Sequence, residues 1–406
     1  MILRPFRALR PHPEHAAQVS AVPYDVVSRD EAVQLARGNP LSFLHVSRPE
    51  IDLPTTVDPH SDGVYVQARK GLDRLRAEAP LVQEREPSLY FYRLKQGDHV
   101  QTGIAATFSV REYDEGGIAK HEKTRRDKED DRTHHLLALG AQTGPAYLAY
   151  RGLAEINQHV TQITAHEKPL FDLTAPDGVQ HTVWAVRETE LLVNAFKKVP
   201  RLYIADGHHR SASASRAHTQ LGSSDSQAAH AFFLAVAFPA EELRILPYHR
   251  TVKDLAGQSL ESFLAQVRES FEMREKLGQR VPGQGEFAMY LGGGRWVLLK
   301  PKRSMSNPSR IETLDVSVLQ DLLLAPILGI RDPRTDSRID FVGGIRGTEA
   351  LEARVDSSQA AVAFALHPTT LDDVMSVSDA GGIMPPKSTW FEPKLRDGLL
   401  SHVISP

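Results

Sequence analysis

The stretch Leu202-Tyr203-Ile204-Ala205-Asp206-Gly207-His208-His209-Arg210, continued by Ser211-Ala212-Ser213-Ala214, decides how this chain is read. A short apolar, β-prone run ends in a carboxylate, a glycine, two imidazoles and a guanidinium, and a segment of small residues and helix formers follows. That order predicts a strand end, a tight turn and a helix N-terminus. The first N–H groups of a helix have no intrahelical partner and sit at its positive end, so the junction suits an anion, phosphate above all. Five consecutive polar or glycine positions do not serve a core. Asp206, Gly207, His208, His209 and Arg210 are therefore candidate site residues, with the Ser211 and Ser213 hydroxyls early in the helix as further donors.

Outward from this motif, the chain reads as mixed α and β throughout. Upstream, residues 88–94 and 100–108 read as strands joined by a Gly97-Asp98 turn, and 145–150 and 182–186 are strand-like too. Helices are expected over about 63–79, near 130–140 and over 188–197. Ser28 before Arg29-Asp30-Glu31 has the form of a helix start with a reciprocal Ser–Glu cap. Downstream, the continuous apolarity of residues 231–238 predicts a strand covered on both faces. From about residue 255 the pattern restarts with a helix, two strands around Gly292-Gly293-Gly294 and an apolar helix over 316–328. The fold class is α+β. The expected regions are 1–115, a core at 116–254 carrying the motifs, and 255–406.

Composition sets the limits. The 406 residues carry a formal net charge of −3, so no positive excess drives binding to nucleic acid or to an anionic membrane. The chain has no cysteine, which removes disulfides, thiolate metal sites and cysteine nucleophiles. No stretch approaches the ~20 apolar residues of a membrane span, and the N-terminus lacks the apolar core of a signal peptide. A cytoplasmic address is expected.

Three further clusters carry chemistry. His121-Glu122-Lys123-Thr124 opens a charged run through Arg132, and a glutamate among cations is a candidate general base. Composition alone would make the same run a solvated loop and helix start. Pro385-Pro386-Lys387-Ser388-Thr389-Trp390 offers a cation, two hydroxyls and an aromatic wall on a proline-fixed path, or simply a docked terminal segment. Tyr24 and Asp25, in Ala21-Val22-Pro23-Tyr24-Asp25-Val26, are placed to line a cleft or to form a plain turn.

Nearly the whole chain resembles the bacterial family known as domain of unknown function 1015. The matching pieces are Arg4-Pro5-Phe6-Arg7-Ala8-Leu9-Arg10, Pro23-Tyr24-Asp25-Val26, His121-Glu122-Lys123-Thr124 with Asp131-Arg132, Asp206-Gly207-His208-His209-Arg210, His249-Arg250, and Pro386-Lys387-Ser388-Thr389 with Phe391 and Pro393-Lys394. Two of these motifs also resemble the free-serine kinases of the ParB/sulfiredoxin-like superfamily, where a glutamate after a histidine is the base and an Asp-Gly-His-X-Arg turn holds nucleotide phosphates. The resemblance implies an elaborated ParB/sulfiredoxin-like core with additional α/β subdomains. It implies a kinase that moves a phosphoryl group from ATP or ADP, with Mg²⁺, to the hydroxyl of free L-serine. Glu122 would be the base, Asp206 a catalytic and metal-holding carboxylate, and Gly207 to Arg210 the phosphate site. His121, Lys123, Thr124, Tyr24, Asp25, Lys387, Ser388, Thr389 and Trp390 would be accessory. Here the motifs lie 84 positions apart (206 minus 122), farther than in the compact kinases, so the resemblance requires an insertion.

Two other readings compete. A ParB-like nucleotide-binding regulator would need a DNA-binding segment, and no helix-turn-helix pattern or basic stripe is present. A divalent-metal hydrolase would draw on Asp206, His208 and His209, with His121 or His249 as a further ligand, but no His-Glu-X-X-His spacing occurs. Sulfiredoxin-type redox chemistry needs a cysteine at the turn, which this chain lacks.

Overall fold

A computed structural model describes residues 1–78, 81–222, 225–276, 281–302 and 308–404. The chain forms two compact units: Met1–Leu243 joined by the segment from Pro393 onward, and Arg244–Glu392. Both mix helices with largely antiparallel sheets, which is the α+β class.

In the first unit, nine strands among the described residues form one sheet. Its order is Ile118–Ala119, Leu202–Asp206, Ala146–Tyr150, Phe232–Pro239, His99–Ser109, Leu89–Gln96, Gln180–Val186 and Phe171–Thr174, with Leu3–Arg4 pairing against His99–Ser109. Every residue of Phe232–Pro239 is buried, as its unbroken apolarity predicts for a strand covered on both faces. Leu148, Leu202, Ile204, Phe233 and Ala235 belong to the core that seats the sheet against Leu136, Ala212, Ala214 and Ala217 of two helices. Those helices, Arg126–Leu139 and His208–Leu221, pack on each other through Ser213, whose hydroxyl donates to the Glu129 carbonyl at 3.3 Å, and through Arg216, paired with Glu129 and Asp130. The predicted helix starts are confirmed at Arg29–Ala36, where Ser28 and Glu31 cap each other reciprocally, and at Asp62–Glu78. The expected end of that second helix at residue 79 lies outside the described residues.

The segment from Pro393 returns to the first unit. Its strand Ser401–Val403 is sandwiched between Ala8–Arg10 and Ala141–Gln142. That return carries Lys394 and Asp397 to a site otherwise built from much earlier residues.

The second unit holds an antiparallel sheet in the order Phe271–Lys276, Trp296–Pro301, Phe287–Tyr290, Val362–Leu366, Tyr248–Val252 and Ile339–Gly343. Two of these strands flank Gly292 to Gly294 as expected, and Phe271–Lys276 was not foreseen. The continuous helix expected over 316–328 does not form. Its α-helical part ends at Leu319, a wide turn runs through Gln320–Leu324, and the Ala325 N–H reaches back to the Gln320 carbonyl. Pro326 explains the break, since it has no N–H for residue 322 and its ring clashes with that carbonyl.

Candidate active site

The strand Leu202–Asp206 ends at Asp206, Gly207 takes φ +90° and ψ +30°, and the 14-residue helix His208–Leu221 follows directly. A register shift between Ile204 and Asp206, where the strand leaves its antiparallel neighbour, turns the chain toward the helix. Glycine is required at 207. A Cβ there would lie 3.2 Å from the Ala146 Cα and 3.1 Å from the Arg210 Nε, at a φ that side chains rarely adopt. Gly207→Ala is expected to destabilise the protein by about 1–3 kcal/mol and to displace the Arg210 head. A thermal melt reads the first effect, and an unchanged midpoint would contradict it.

The two motifs that lie far apart in sequence meet in space. Ile118–Ala119 pairs in parallel with Leu202–Tyr203, so the loop 120–125 and the turn 206–210 leave neighbouring strands at the same end. Two imidazoles fasten them together. His208 Nε2 accepts the His121 N–H at 3.4 Å, His209 Nε2 accepts the Arg125 N–H at 3.1 Å, and the His121 and His208 rings meet edge to face with centroids 4.4 Å apart. Burial pushes His121 down to about 4 and takes His208 well below the ordinary imidazole value, so both are neutral at pH 7. His208 and His209 thus hold the loop through their Nε2 lone pairs. Glu122, half-buried, follows His121 directly. Lys123 is exposed, and the Thr124 hydroxyl donates to Glu129.

Arg210 is the hub of charge. Its side chain is 11% exposed; Nη1 donates to the Pro145 carbonyl at 2.6 Å, while Nη2 stands 3.7 Å from Asp25 and 3.6 Å from Asp206. Its buried Nε and Nη2 have no hydrogen-bond partner. Asp206 accepts the Gly207 N–H at 2.8 Å and the Lys394 ammonium at 2.9 Å. Burial alone would raise its pKa, but Lys394 and Arg210 overcome that and hold the carboxyl well below the usual carboxylate range. Asp25, Asp206 and Asp397 likewise overcome the effect of burial on Arg210 and hold its guanidinium charged.

The same guanidinium lines a small cavity of about 50 Å³. Tyr24, Arg132, Gly144, Arg210, Ser213 and Asp397 are among its walls. The Arg132 guanidinium lies 4.3 Å from the Tyr24 ring centroid and is held by Asp131 at 2.7 Å, which in turn accepts from His60 and Tyr65. Gly144 leaves the space that the Asp397 carboxylate fills: a Cβ there would lie 2.7 Å from Oδ1. Two guanidiniums, one recessed carboxylate and a phenol thus face one cavity, an arrangement that recognises an oxyanion next to a hydrogen-bonding or cationic group.

Asp397 gives the pocket a pH dependence. Burial, with Asp25 adding to it and Arg210 and Arg132 opposing, pushes its carboxyl up to about 7. The folded protein keeps a proton that the unfolded chain has lost, so this group's contribution to stability is full at low pH and falls as pH rises from about 4 to about 7, by about 1.4 kcal/mol per pH unit. A neutral Asp397 also repels an anion less. Sulfate, whose own charge is constant here, is expected to bind several-fold tighter at pH 6 than at pH 8. Calorimetry should show that difference vanish in Asp397→Asn, and a difference of equal size in the variant would contradict the assignment.

Tyr24, Asp25, Asp206, Gly207 and Arg210 therefore gather at one place, with His121 to Arg125 docked alongside. The Ser211 hydroxyl is buried without a partner. Lys387, Ser388, Thr389 and Trp390 belong to the second unit. Sequence reading did not assign Arg132, Gly144, Lys394 or Asp397 to the site, although Asp131-Arg132 and Pro393-Lys394 stood among the family motifs. Among the described residues no group of three or more histidine or acidic side chains is placed to hold a metal ion. No helix among them is long and apolar enough to cross a membrane.

The family described as protein of unknown function DUF1015 matches residues 3–317. The chain belongs to this family. No curated protein matches this DUF1015 member. Among solved structures it is similar to a free serine kinase in complex with AMP (13% identity, covering 73% of this chain and 91% of that one, TM-score 0.36). It is also similar to a mutant free serine kinase in complex with ADP (14%, 73% and 92%, 0.37), and to SbnI with a C-terminal truncation from Staphylococcus aureus (12%, 72% and 85%, 0.38).

Proposed function

We propose that this protein is a small-molecule kinase, transferring a phosphoryl group from ATP or ADP to the hydroxyl of free L-serine. The observation that carries the reading is Arg210: a nearly buried guanidinium whose Nε and Nη2 make no hydrogen bond, in a pocket wall at the N-terminus of a helix. The His208, His209 and Arg210 N–H groups open that helix, and the first intrahelical bond is donated by Ser211 to Gly207. The N–H groups of a helix N-terminus beside a guanidinium fork are what phosphate oxygens require. Phosphoryl transfer asks chiefly for positioning and charge neutralisation, which Arg210, Arg132 and Lys394 supply from three elements.

In this reading Arg210 and the helix N–H groups bind the nucleotide phosphates. Lys394 holds the Asp206 carboxylate in place between 2.9 Å contacts on one oxygen and the Gly207 N–H on the other. Mg²⁺, when bound with the nucleotide, would add charge neutralisation, with Asp25 and Asp206 as its candidate oxygen donors; the two Asp206 oxygens are engaged by the Gly207 N–H and Lys394. Glu122, fixed beside the phosphate turn by the histidine contacts, accepts the proton of the attacking hydroxyl. The motif resemblance supports these roles and the ParB/sulfiredoxin-like description of the core. Calorimetric titration of the whole chain with ADP and with ATP tests the reading at its base. Saturable binding of either nucleotide, weakened by added salt, is expected, and no binding of either would overturn it.

A further inference from the structure

The second unit holds a charged cluster to which the proposed phosphoryl transfer gives no step, although the sequence resemblance makes its Lys387 and Trp390 accessory. Arg250 is 4% exposed on the strand Tyr248–Val252. Its Nη1 donates to the Tyr248 carbonyl, its Nη2 to the Pro386 carbonyl at 3.4 Å, and its guanidinium lies 5.1 Å from the Phe341 ring centroid. Among the described residues no carboxylate pairs with it, whereas Arg210 stands near three. Burial without a counter-charge pushes Arg250 down to about 9. An isolated buried cation is costly, and carbonyls and ring faces compensate only part of that cost.

A second cation stands on the same segment. Lys387 follows Pro386 with φ +54°, a left-handed conformation that non-glycine residues seldom take, and its ammonium is 5.4 Å from the Tyr248 ring centroid. Such strain marks a side chain held for a purpose. Tyr248 and Arg250, two residues apart, share one face of their strand. Their antiparallel partners Gly343 and Phe341 continue that face. Gly343 is empty of side chain for a reason: a Cβ would come within 2.7 Å of the Trp390 ring, which meets Tyr248 edge to face at 5.3 Å. The Trp390 indole N–H is taken by Glu392 at 2.8 Å, leaving its ring as a wall.

We infer that Arg250 and Lys387, walled by Tyr248, Phe341 and Trp390, form a second oxyanion site in this protein, one that takes a phosphate group. Two cations match the two charges of a phosphate monoester, and the aromatic walls strengthen the pairing by excluding water. This site is built from residues of the second unit alone, and its occupancy does not depend on the kinase reading.

The test is a titration of the full chain with inorganic phosphate, read by tryptophan emission. A saturable change that disappears in Trp390→Phe locates the event. Because Lys387 is exposed, Lys387→Gln should leave the melting temperature unchanged while raising the phosphate Kd about tenfold, the loss of one charge-assisted contact. Arg210→Lys should leave this signal untouched. An emission change that is absent, indifferent to Lys387→Gln, or tracking Arg210→Lys overturns the inference; nucleotide binding lost in Arg210→Lys alone speaks only to the first site.

Discussion

Arg210→Ala is expected to weaken nucleotide binding ten- to hundred-fold, since each charge-assisted hydrogen bond contributes about 1.5–3 kcal/mol. The same change should destabilise the fold. Asp206, Asp25 and Asp397 all bear on this guanidinium, and removing it leaves Asp397, 2% exposed, beside other carboxylates. Breaking a buried ion pair costs about 3–5 kcal/mol; the 3.6 and 3.7 Å separations and partial exposure place this case at the lower end. Arg210→Lys separates the two effects. It keeps the charge that the carboxylates need and loses the planar fork that phosphate needs, so the melting temperature should recover far more than the affinity. Calorimetry and thermal melts on both variants decide it. Equal nucleotide affinity in all three proteins would remove Arg210 from the phosphate site.

Glu122→Gln is expected to lower the transfer rate by about 10²–10⁴-fold, the usual worth of a positioned general base. Nucleotide affinity should stay nearly intact, because the amide is isosteric and the assigned phosphate contacts come from the 206–210 turn. The informative result is the split between kcat and nucleotide Kd. A variant with normal turnover and weakened nucleotide binding would make Glu122 a binding residue instead.

How much of this was legible in the sequence depended on how local each feature is. The strand, turn and helix over 202–221 could be read because apolar residues, a glycine and helix formers change over within a dozen positions. The Ser28 cap was legible for the same reason. The 84-position gap between the His-Glu and Asp-Gly-His-His-Arg motifs looked like an obstacle, yet it is the path of a chain that leaves one strand and returns beside it in parallel. Lys394 lies 188 positions from the Asp206 it pairs with, and Asp397 is set by pairing with Ala21. No periodicity records such contacts. Arg132 was hidden in a run that composition assigns to solvent, although Asp131 beneath it is buried and satisfied by His60, Tyr65 and Arg132. The helix expected over 316–328 failed at Pro326, where an apolar pattern outweighed a local breaker in the reading but not in the fold.

The most direct measurement is ³¹P NMR of the purified protein with Mg²⁺, ATP or ADP, and L-serine, against matched samples without serine. A serine-dependent phosphomonoester signal matching O-phosphoserine, lost in Glu122→Gln, is the result this account predicts. Nucleotide bound with no serine-dependent product would contradict the proposed reaction while leaving the Arg210 pocket as a nucleotide site.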